Sequence, residues 1–320
     1  MLLKIIILLV GLALIVFGAD WLVDGASAIA RKLGVSEFVI GLTIVGFGTS
    51  MPELVVSLNG AFHGVSDVAV GNVVGSNFFN TLLILGLTAL VMPIGITESN
   101  RKRDIPVTSA VTLLFVLMGM SRTILGIGND KIDRIGGVVF LLVFAAYIYM
   151  SFKMDKADAV SGTDGETKSL GIPAAIGLVI AGLAGLVVGG RLFVDSAEAI
   201  ARMIGVSDKF IAITVLAGGT SLPELATCIV AAVKKRGQLA LGNILGSNIF
   251  NILLILGCSA LVTPLSLDGM NLVDMLALVV SMAVVMLSSY TFGKNKIDRG
   301  EAVVMLLCFA AYYVWLFMNL

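Results

Sequence analysis

Two glutamates occupy equivalent places in long apolar stretches of the chain. Glu53 lies in the motif GTSMPEL (48–54) and Glu224 in GTSLPEL (219–225), and apolar residues extend on both sides of each motif. A charged residue at the centre of a membrane-crossing helix costs about 2.5–3.5 kcal/mol. Because two glutamates carry this cost at equivalent positions, we predict that together they bind a cation. The alternative is a pair of structural carboxylic acids that only form hydrogen bonds.

A proline directly before each glutamate predicts a break in the helix that carries it. Pro52 and Pro223 cannot donate a backbone hydrogen bond, and each ring clashes with the carbonyl group four residues earlier. Those carbonyls belong to Gly48 and Gly219, and freed carbonyl oxygens inside a membrane-spanning segment can bind a cation. Hydroxyl groups one turn before each glutamate could bind the same cation or back-bond to their own helix. They belong to Thr49, Ser50, Thr220 and Ser221.

Further oxygen donors follow in two similar motifs, GNVVGSNFFN (71–80) and GNILGSNIFN (242–251). Ser76 and Asn80 are four residues apart and share one face of a helix, and so do Ser247 and Asn251. Asn77 lies about 100° away on the same helix, which favours packing or a bridge between helices. Carboxylate, amide, hydroxyl and carbonyl oxygens form a ligand set that Ca²⁺ and Na⁺ prefer, whereas metals that favour thiolate or imidazole do not.

Composition restricts where such a site can lie. Of 320 residues, 58% are hydrophobic and 13% are charged, against about 45–50% and about 25% in a typical soluble domain. A chain of this length has too little core to bury so much apolar surface, which excludes water-soluble, disordered and fibrous classes. Basic and acidic residues are equal in number, 21 each, so we expect no nucleic-acid partner.

Long apolar runs predict an all-α polytopic membrane protein, because a membrane-spanning helix needs about 20 such residues. Ten transmembrane helices are predicted, at residues 3–30, 36–62, 67–92, 105–121, 135–152, 171–201, 209–233, 238–263, 272–291 and 300–319.

The sequence repeats itself after a shift of 171 residues. GTSMPEL matches GTSLPEL at 6 of 7 positions, and residues 71–86 match 242–257 at 12 of 16. Each copy has five predicted helices, an odd number, so the second copy enters the membrane from the opposite face. Such inverted-topology repeats place a binding site near the middle of the bilayer, which favours a transporter. The predicted units are a first repeat, 1–152 (with the repeated core 36–92), a cytoplasmic linker, 153–169, and a second repeat, 170–320 (with the repeated core 207–263).

Basic residues predict the orientation. Fourteen lysines and arginines fall on one side of the predicted membrane and six on the other. The richer side should be cytoplasmic, which puts both termini outside. The basic triplets 101–103 and 234–236 are interpreted as topology signals. Asp20, Asp24 and Asp195 are interpreted as structural salt-bridge or helix-terminus groups, with a role in an ion vestibule as the alternative.

The doubled motifs GFGTSMPEL with GNVVGSNFFN and GGTSLPEL with GNILGSNIFN resemble the two α-repeats of the Ca²⁺/cation antiporter superfamily, in particular prokaryotic sodium/calcium exchanger-like proteins. The resemblance covers essentially the whole chain. It implies that the first and sixth helices move past the rest to alternate access. It also implies an ion-ligand set of Glu53, Glu224, Asn80, Asn251, Thr49, Ser50, Thr220, Ser221, Ser76 and Ser247, with the backbone carbonyls of Gly46 and Ala217.

One position departs from the family pattern. Many members have an aspartate where this chain has Asn251, so the formal charge of the ligand set here is −2. One Ca²⁺ or two Na⁺ neutralise that charge and three Na⁺ exceed it. We therefore expect coupling that differs from three Na⁺ for one Ca²⁺.

Together these observations predict a secondary antiporter that exchanges Ca²⁺ for Na⁺ in a prokaryotic cell membrane, and not an enzyme. Ca²⁺/H⁺ exchange and K⁺-dependent Na⁺/Ca²⁺ exchange remain open, with a cation channel as a more distant alternative. We expect no cofactor and no obligatory protein partner beyond the transported ions and the lipid bilayer.

Overall fold

The computed structural model describes residues 1–155, 170–205, 217–267, 270–291 and 295–319, and this part of the chain is mostly helical. The helices are α1 (Leu2–Leu33), α2 (Glu37–Thr49), α3 (Met51–Phe62), α4 (Ser66–Val91), α5 (Ile105–Gly119), α6 (Ser121–Leu125), α7 (Arg134–Asp155), α8 (Ile172–Met203), α9 (Leu222–Val233), α10 (Gly237–Val262), α11 (Leu272–Ser288) and α12 (Arg299–Asn319). The strands are β1 (Ile94–Gly95), β2 (Lys131–Ile132), β3 (Leu265–Ser266) and β4 (Lys296–Ile297).

Six described helices are long and apolar enough to cross a membrane: α1, α4, α7, α8, α10 and α12. The pair α2 and α3 makes a seventh such element when both halves are taken as one span. Helices α5, α9 and α11 coincide with three further predicted spans but have only 15, 12 and 17 residues. Residues 209–216 of the predicted seventh span, and 156–169 of the predicted linker, lie outside the described residues.

The predicted break before Pro52 is confirmed. Helices α2 and α3 meet at an angle of 49° around Ser50, and Pro52 lies in the first turn of α3. A proline is tolerated there because the first N–H groups of a helix have no partner within it. In the second half, a helical turn at Ala217–Gly219 ends before α9 begins at Leu222, so the helix is interrupted at the equivalent place.

Several helices contain π-helical segments, in which the backbone hydrogen bond spans five residues. One segment lies in α2 (Gly41–Val45), one in α4 (Phe79–Ile84) and one in α10 (Phe250–Ile255). The last two contain Asn80 and Asn251. The sequence periodicity did not predict these segments, and π-helical insertions are frequent at functional sites.

Helices α1 and α8 pack closely because glycines lie along their contact. A Cβ atom at Gly18 would lie 2.8 Å from the carbonyl oxygen of Gly182, and one at Gly182 would lie 2.6 Å from the backbone nitrogen of Leu22. A Cβ atom at Gly11 would likewise lie 2.7 Å from the backbone nitrogen of Phe193. Small residues at such a contact let two backbones approach, as in many membrane helix pairs.

Two short antiparallel sheets join the first half of the chain to the second. Strand β1 pairs with β4, with Ile94 opposite Ile297, and β2 pairs with β3, with Ile132 opposite Leu265. Next to each sheet an arginine donates to a helix carbonyl of the other half. Arg134 Nε donates to the Leu261 oxygen at 3.2 Å, and Arg299 Nε donates to the Leu90 oxygen at 3.1 Å. The two junctions therefore use residues that are equivalent in the repeated sequence.

Ion pairs connect the end of α9 to α1 and α2. The Lys234 ammonium lies 2.7 Å from Asp20 Oδ1 and 2.6 Å from Asp24 Oδ1, and Arg236 Nη1 lies 2.7 Å from Glu37 Oε1. The interpretation of Asp20 and Asp24 as salt-bridge groups is thus confirmed. The basic triplet 234–236, interpreted from the sequence as a topology signal, also holds helices together.

Candidate functional site

Both glutamates lie in the first turn of the helix that follows a break. Glu53 is the third residue of α3 and Glu224 the third residue of α9, and each side chain is 1% exposed. The amino-terminal end of a helix carries a partial positive charge, which favours a carboxylate in the first turn. The break therefore gives each buried carboxylate a stabilising backbone environment that the middle of a continuous helix lacks.

Serine hydroxyls connect each glutamate to the opposite half of the chain. Ser50 Oγ donates to Glu224 Oε1 at 3.0 Å, and Ser221 Oγ donates to Glu53 Oε1 at 3.3 Å. Among the described residues, the side-chain hydrogen bonds of these two serines go to the glutamates, whereas back-bonding to their own helices was the alternative open from the sequence. The two glutamates and two serines thus form one buried cluster across the two broken helices.

A second serine reaches each carboxylate from the next helix of the same half. Ser76 Oγ in α4 lies 3.4 Å from Glu53 Oε1, and Ser247 Oγ in α10 lies 3.3 Å from Glu224 Oε1. Ser247 Oγ also lies 3.5 Å from the Gly46 carbonyl oxygen. Each Oε1 atom is therefore held by two hydroxyl groups, one from each half of the chain.

Four further buried oxygens, two on the glutamates and two on the asparagines of the π-helical segments, are acceptors that lack a donor. Glu53 Oε2, Glu224 Oε2, Asn80 Oδ1 and Asn251 Oδ1 are buried and receive no hydrogen bond from any described residue. An unsatisfied buried acceptor costs about 1–3 kcal/mol, and a bound cation would remove that cost. The described residues contain no group of three or more His, Cys, Asp or Glu side chains placed to hold a metal ion. A cation here would therefore meet two carboxylates and otherwise neutral oxygens, which suits Ca²⁺ or Na⁺.

Other predicted ligands lie in the same region, where the side chain of Thr49 interacts with Glu224 and that of Thr220 with Glu53. Thr49 is buried, and its Oγ1 lies 3.2 Å from Asn243 Oδ1 and 3.5 Å from the Gly46 carbonyl oxygen. Thr220 is half-buried in the turn before α9. Ala217 begins the helical turn that precedes it, and the side chain of Ala217 lies outside the described residues.

Two asparagines that we did not select from the sequence support this cluster. Asn72 Nδ2 donates to the Glu53 carbonyl oxygen at 3.1 Å and to Ser57 Oγ at 3.0 Å. Asn243, which accepts from Thr49, donates through Nδ2 to Cys228 Sγ at 3.3 Å. Both are the asparagine of the Gly-Asn pair that opens the second motif in each half. Their recurrence in both motifs was the signal that could have identified them.

Comparison with known proteins gives a consistent result over the whole chain. The sequence profile of the sodium/calcium exchanger protein family matches residues 3–153 and 174–318. The chain is 34% identical to "Sodium/calcium exchanger MaX1" of Methanosarcina acetivorans, over 98% of both chains. It is 35% identical to "Inner membrane protein YrbG" of Escherichia coli, over 99% of this chain and 97% of that one.

The fold also matches a solved exchanger. A structure of the sodium-calcium exchanger NCX_Mj superposes with a TM-score of 0.83 at 33% sequence identity, covering 98% of each chain. Family profile, full-length relatives and fold agree, and the described helices include several long and apolar enough to cross a membrane. The chain therefore belongs to the sodium/calcium exchanger family of membrane transporters.

Proposed function

We propose that the protein is a secondary antiporter that exchanges Ca²⁺ for Na⁺ through the cluster around Glu53 and Glu224. The observation that carries the proposal is the set of four buried, donor-free oxygens on these glutamates and on Asn80 and Asn251. Two carboxylates attract a divalent ion or two monovalent ions, and the surrounding neutral oxygens replace part of an ion's hydration shell. The sodium/calcium exchanger MaX1, similar over nearly its whole length, supports Na⁺ as the counter-ion.

The proposed architecture has ten transmembrane helices in two five-helix repeats of inverted topology, residues 1–152 and 170–320, joined by a cytoplasmic linker at 153–169. Two observations support it. The strand pairs β1–β4 and β2–β3 are equivalent to each other, because β1 corresponds to β3 and β2 to β4 in the repeated sequence, and the excess of basic residues lies on one predicted side. The repeat cores are 36–92 and 207–263. Both termini would lie on the extracytoplasmic side of the cell membrane.

Alternating access follows from an ion site formed by both halves. When an ion is bound, its charge screens Glu53 and Glu224 from each other, and the empty cluster retains two close carboxylates. Moving the loaded site between the two sides of the membrane therefore costs less than moving the empty one, which favours exchange over leak. Helices α1 and α8, which meet through glycines, are the elements that we propose to move past the ion-binding core.

The ion that is exchanged for Ca²⁺ has alternatives to Na⁺ alone. Relatives over 42% of this chain include "Sodium/potassium/calcium exchanger 4" of Homo sapiens, which keeps K⁺ dependence among the alternatives. Ca²⁺/H⁺ exchange is the other, because two glutamates could each release a proton when an ion binds. A cation channel would use the same oxygens but would pass Ca²⁺ without any counter-ion.

Uptake of ⁴⁵Ca²⁺ into proteoliposomes with one imposed gradient at a time separates these functions. We expect an outward Na⁺ gradient to drive uptake on its own, and an H⁺ or K⁺ gradient on its own to leave uptake at the level without a gradient. Uptake driven only by H⁺ would replace the Na⁺-coupled function by Ca²⁺/H⁺ exchange. A requirement for K⁺ together with Na⁺ would establish the K⁺-dependent form, and equal uptake without any gradient would indicate a channel.

A further inference from the structure

A buried amide network joins the candidate ion ligand Asn251 to three residues that have no part in the function proposed so far. Its members are Asn77, Thr81, Asn248 and Asn251, all at 1% exposure. Asn77 Nδ2 donates to the Asn248 carbonyl oxygen at 3.2 Å. Asn251 Nδ2 donates to Asn77 Oδ1 at 2.9 Å. The network therefore connects α4 to α10 at the level of the π-helical segments.

The first contact fixes the orientation of the Asn77 amide. A backbone carbonyl oxygen can only accept a hydrogen bond, so the Asn77 atom that faces Asn248 must be the NH₂ group. The other end of the amide is then Oδ1, which can only accept. No rotation of Asn77 by 180° is possible without placing two oxygens against each other.

That orientation in turn fixes the amide of Asn251. Because Asn77 presents Oδ1, Asn251 must present its NH₂ group to Asn77 and turn its own oxygen away. This oxygen is Asn251 Oδ1, one of the four buried acceptors without a donor. If the amide rotated by 180°, its NH₂ group would take the place of that oxygen, and the partial positive charge would repel a cation.

We propose that Asn77 is a positioning residue that holds the Asn251 amide with its oxygen, not its NH₂ group, available to the transported cation. The inference rests on the proposed function, because it assigns a role within that same ion site. Asn77 acts through Asn251 and does not itself bind the ion.

The equivalent contact in the other half differs, and the sequence explains why. Asn248, the counterpart of Asn77, donates through Nδ2 to Thr81 Oγ1 at 2.9 Å, and Thr81 Oγ1 donates to the Asn77 carbonyl oxygen at 2.6 Å. The counterpart of Thr81 is Ile252, which has no hydroxyl group. Asn248 Oδ1 accepts no hydrogen bond from a described residue, so it does not hold the amide of Asn80 in the way that Asn77 holds Asn251.

Transport kinetics with paired substitutions test this role. The Ca²⁺ KM and the maximum rate are measured in proteoliposomes under a Na⁺ gradient for Asn77→Ala, Asn251→Ala, Asn80→Ala and the two doubles with Asn77→Ala. For any variant too slow to assay, the Ca²⁺-dependent rise in Tm of the purified protein replaces KM, because it reports binding without transport.

We expect Asn77→Ala alone to raise the Ca²⁺ KM about three- to tenfold, because one buried hydrogen bond that orients Asn251 is lost. The maximum rate should stay within about twofold of the parent, because Asn77 acts only on the orientation of an ion ligand. A folding defect would instead lower the maximum rate at unchanged KM. In the Asn251→Ala background, Asn77→Ala should raise the Ca²⁺ KM no further. In the Asn80→Ala background, it should raise the Ca²⁺ KM by the same factor as in the parent.

Two results would overturn the inference, and they are distinguishable. An equal effect of Asn77→Ala in both backgrounds, or a loss of maximum rate at unchanged KM, would mean that Asn77 supports packing only. If Asn251→Ala, Asn80→Ala and Asn77→Ala all leave the Ca²⁺ KM and the Ca²⁺-dependent rise in Tm at parent values, the proposed ion site itself is wrong.

Discussion

The hydroxyl group of Ser50 donates a hydrogen bond to Glu224 Oε1 at 3.0 Å, although the two residues are 174 positions apart in the chain. Ser221 makes the reciprocal contact to Glu53. Each carboxylate therefore accepts a hydrogen bond from the half of the molecule that does not contain it, in addition to one from its own half. Two of the hydrogen bonds to these carboxylates therefore depend on how the two halves pack against each other.

Removing one of these hydroxyl groups should weaken Ca²⁺ binding. We expect Ser50→Ala and Ser221→Ala each to raise the Ca²⁺ KM about tenfold, because a hydrogen bond to a charged group contributes about 1.5–3 kcal/mol. Ser281→Ala is the matched control. Its hydroxyl is equally buried and, within the described part of the chain, bonds only to the Leu278 carbonyl oxygen in α11. Equal KM values for all three variants, measured by ⁴⁵Ca²⁺ uptake, would contradict a role of these serines at the ion site.

The glycine contact between α1 and α8 should tolerate no added methyl group at its closest point. Gly182→Ala places a Cβ atom 2.6 Å from the Leu22 backbone nitrogen, and overpacking of this kind costs about 1–3 kcal/mol. We expect a lower Tm and a lower exchange rate. Gly190→Ala, on the same helix, meets no atom of a described residue within 4 Å and should leave both values unchanged. The idea that this contact is critical fails if the two variants behave alike in thermal unfolding and transport.

The ion pairs of Lys234 should slow the movement of α1. Lys234 joins the end of α9 to Asp20 and Asp24 of α1, and these contacts must break if α1 moves past the core. The groups are partly exposed, so we expect Lys234→Gln to raise the maximum exchange rate only about two- to fivefold. Lys235→Gln, which removes the neighbouring charge, is the control. An unchanged or lower rate for Lys234→Gln would show that these pairs persist throughout transport.

The charge of the site predicts the electrical behaviour of the exchanger. With asparagine at both positions 80 and 251, the two glutamates give a formal charge of −2, which one Ca²⁺ or two Na⁺ neutralise. A net movement of charge would respond to voltage by about 2.3 kcal/mol per charge per 100 mV. We therefore expect exchange at clamped voltages to be nearly independent of voltage. A current that reverses at the potential for three Na⁺ per Ca²⁺ would exclude this coupling.

Local chemistry explains what the sequence predicted. Proline removes a backbone donor wherever it occurs, so the break at Pro52 could be predicted without any knowledge of the fold. Long apolar runs likewise predicted the membrane-length helices. The presence of Glu53 and Glu224 in duplicated motifs indicated that they act together. Burying a carboxylate in the membrane costs free energy, and this cost at two equivalent positions needs a common reason.

Contacts between the halves could not be predicted, because they depend on how helices far apart in sequence meet. The serine of each half reaches the glutamate of the other half only because folding brings the two helix breaks together. The π-helical segments around Asn80 and Asn251 have ordinary apolar sequences, and nothing in them locally disfavours an α-helix. Lys234 was interpreted from its charge alone, and its two aspartate partners become neighbours only through the packing of α9 on α1.

The central claim is that Glu53 and Glu224 carry the exchanged ions, and Na⁺-driven ⁴⁵Ca²⁺ uptake by glutamine variants tests it most directly. Glu301→Gln is the control, because Glu301 is 3% exposed and lies elsewhere, bonded to Thr291 and the Asp298 backbone. With equal amounts of folded protein in the liposomes, we predict that Glu53→Gln and Glu224→Gln each abolish uptake while Glu301→Gln retains it. Parent-level, Na⁺-driven uptake by either Glu53→Gln or Glu224→Gln would contradict the account.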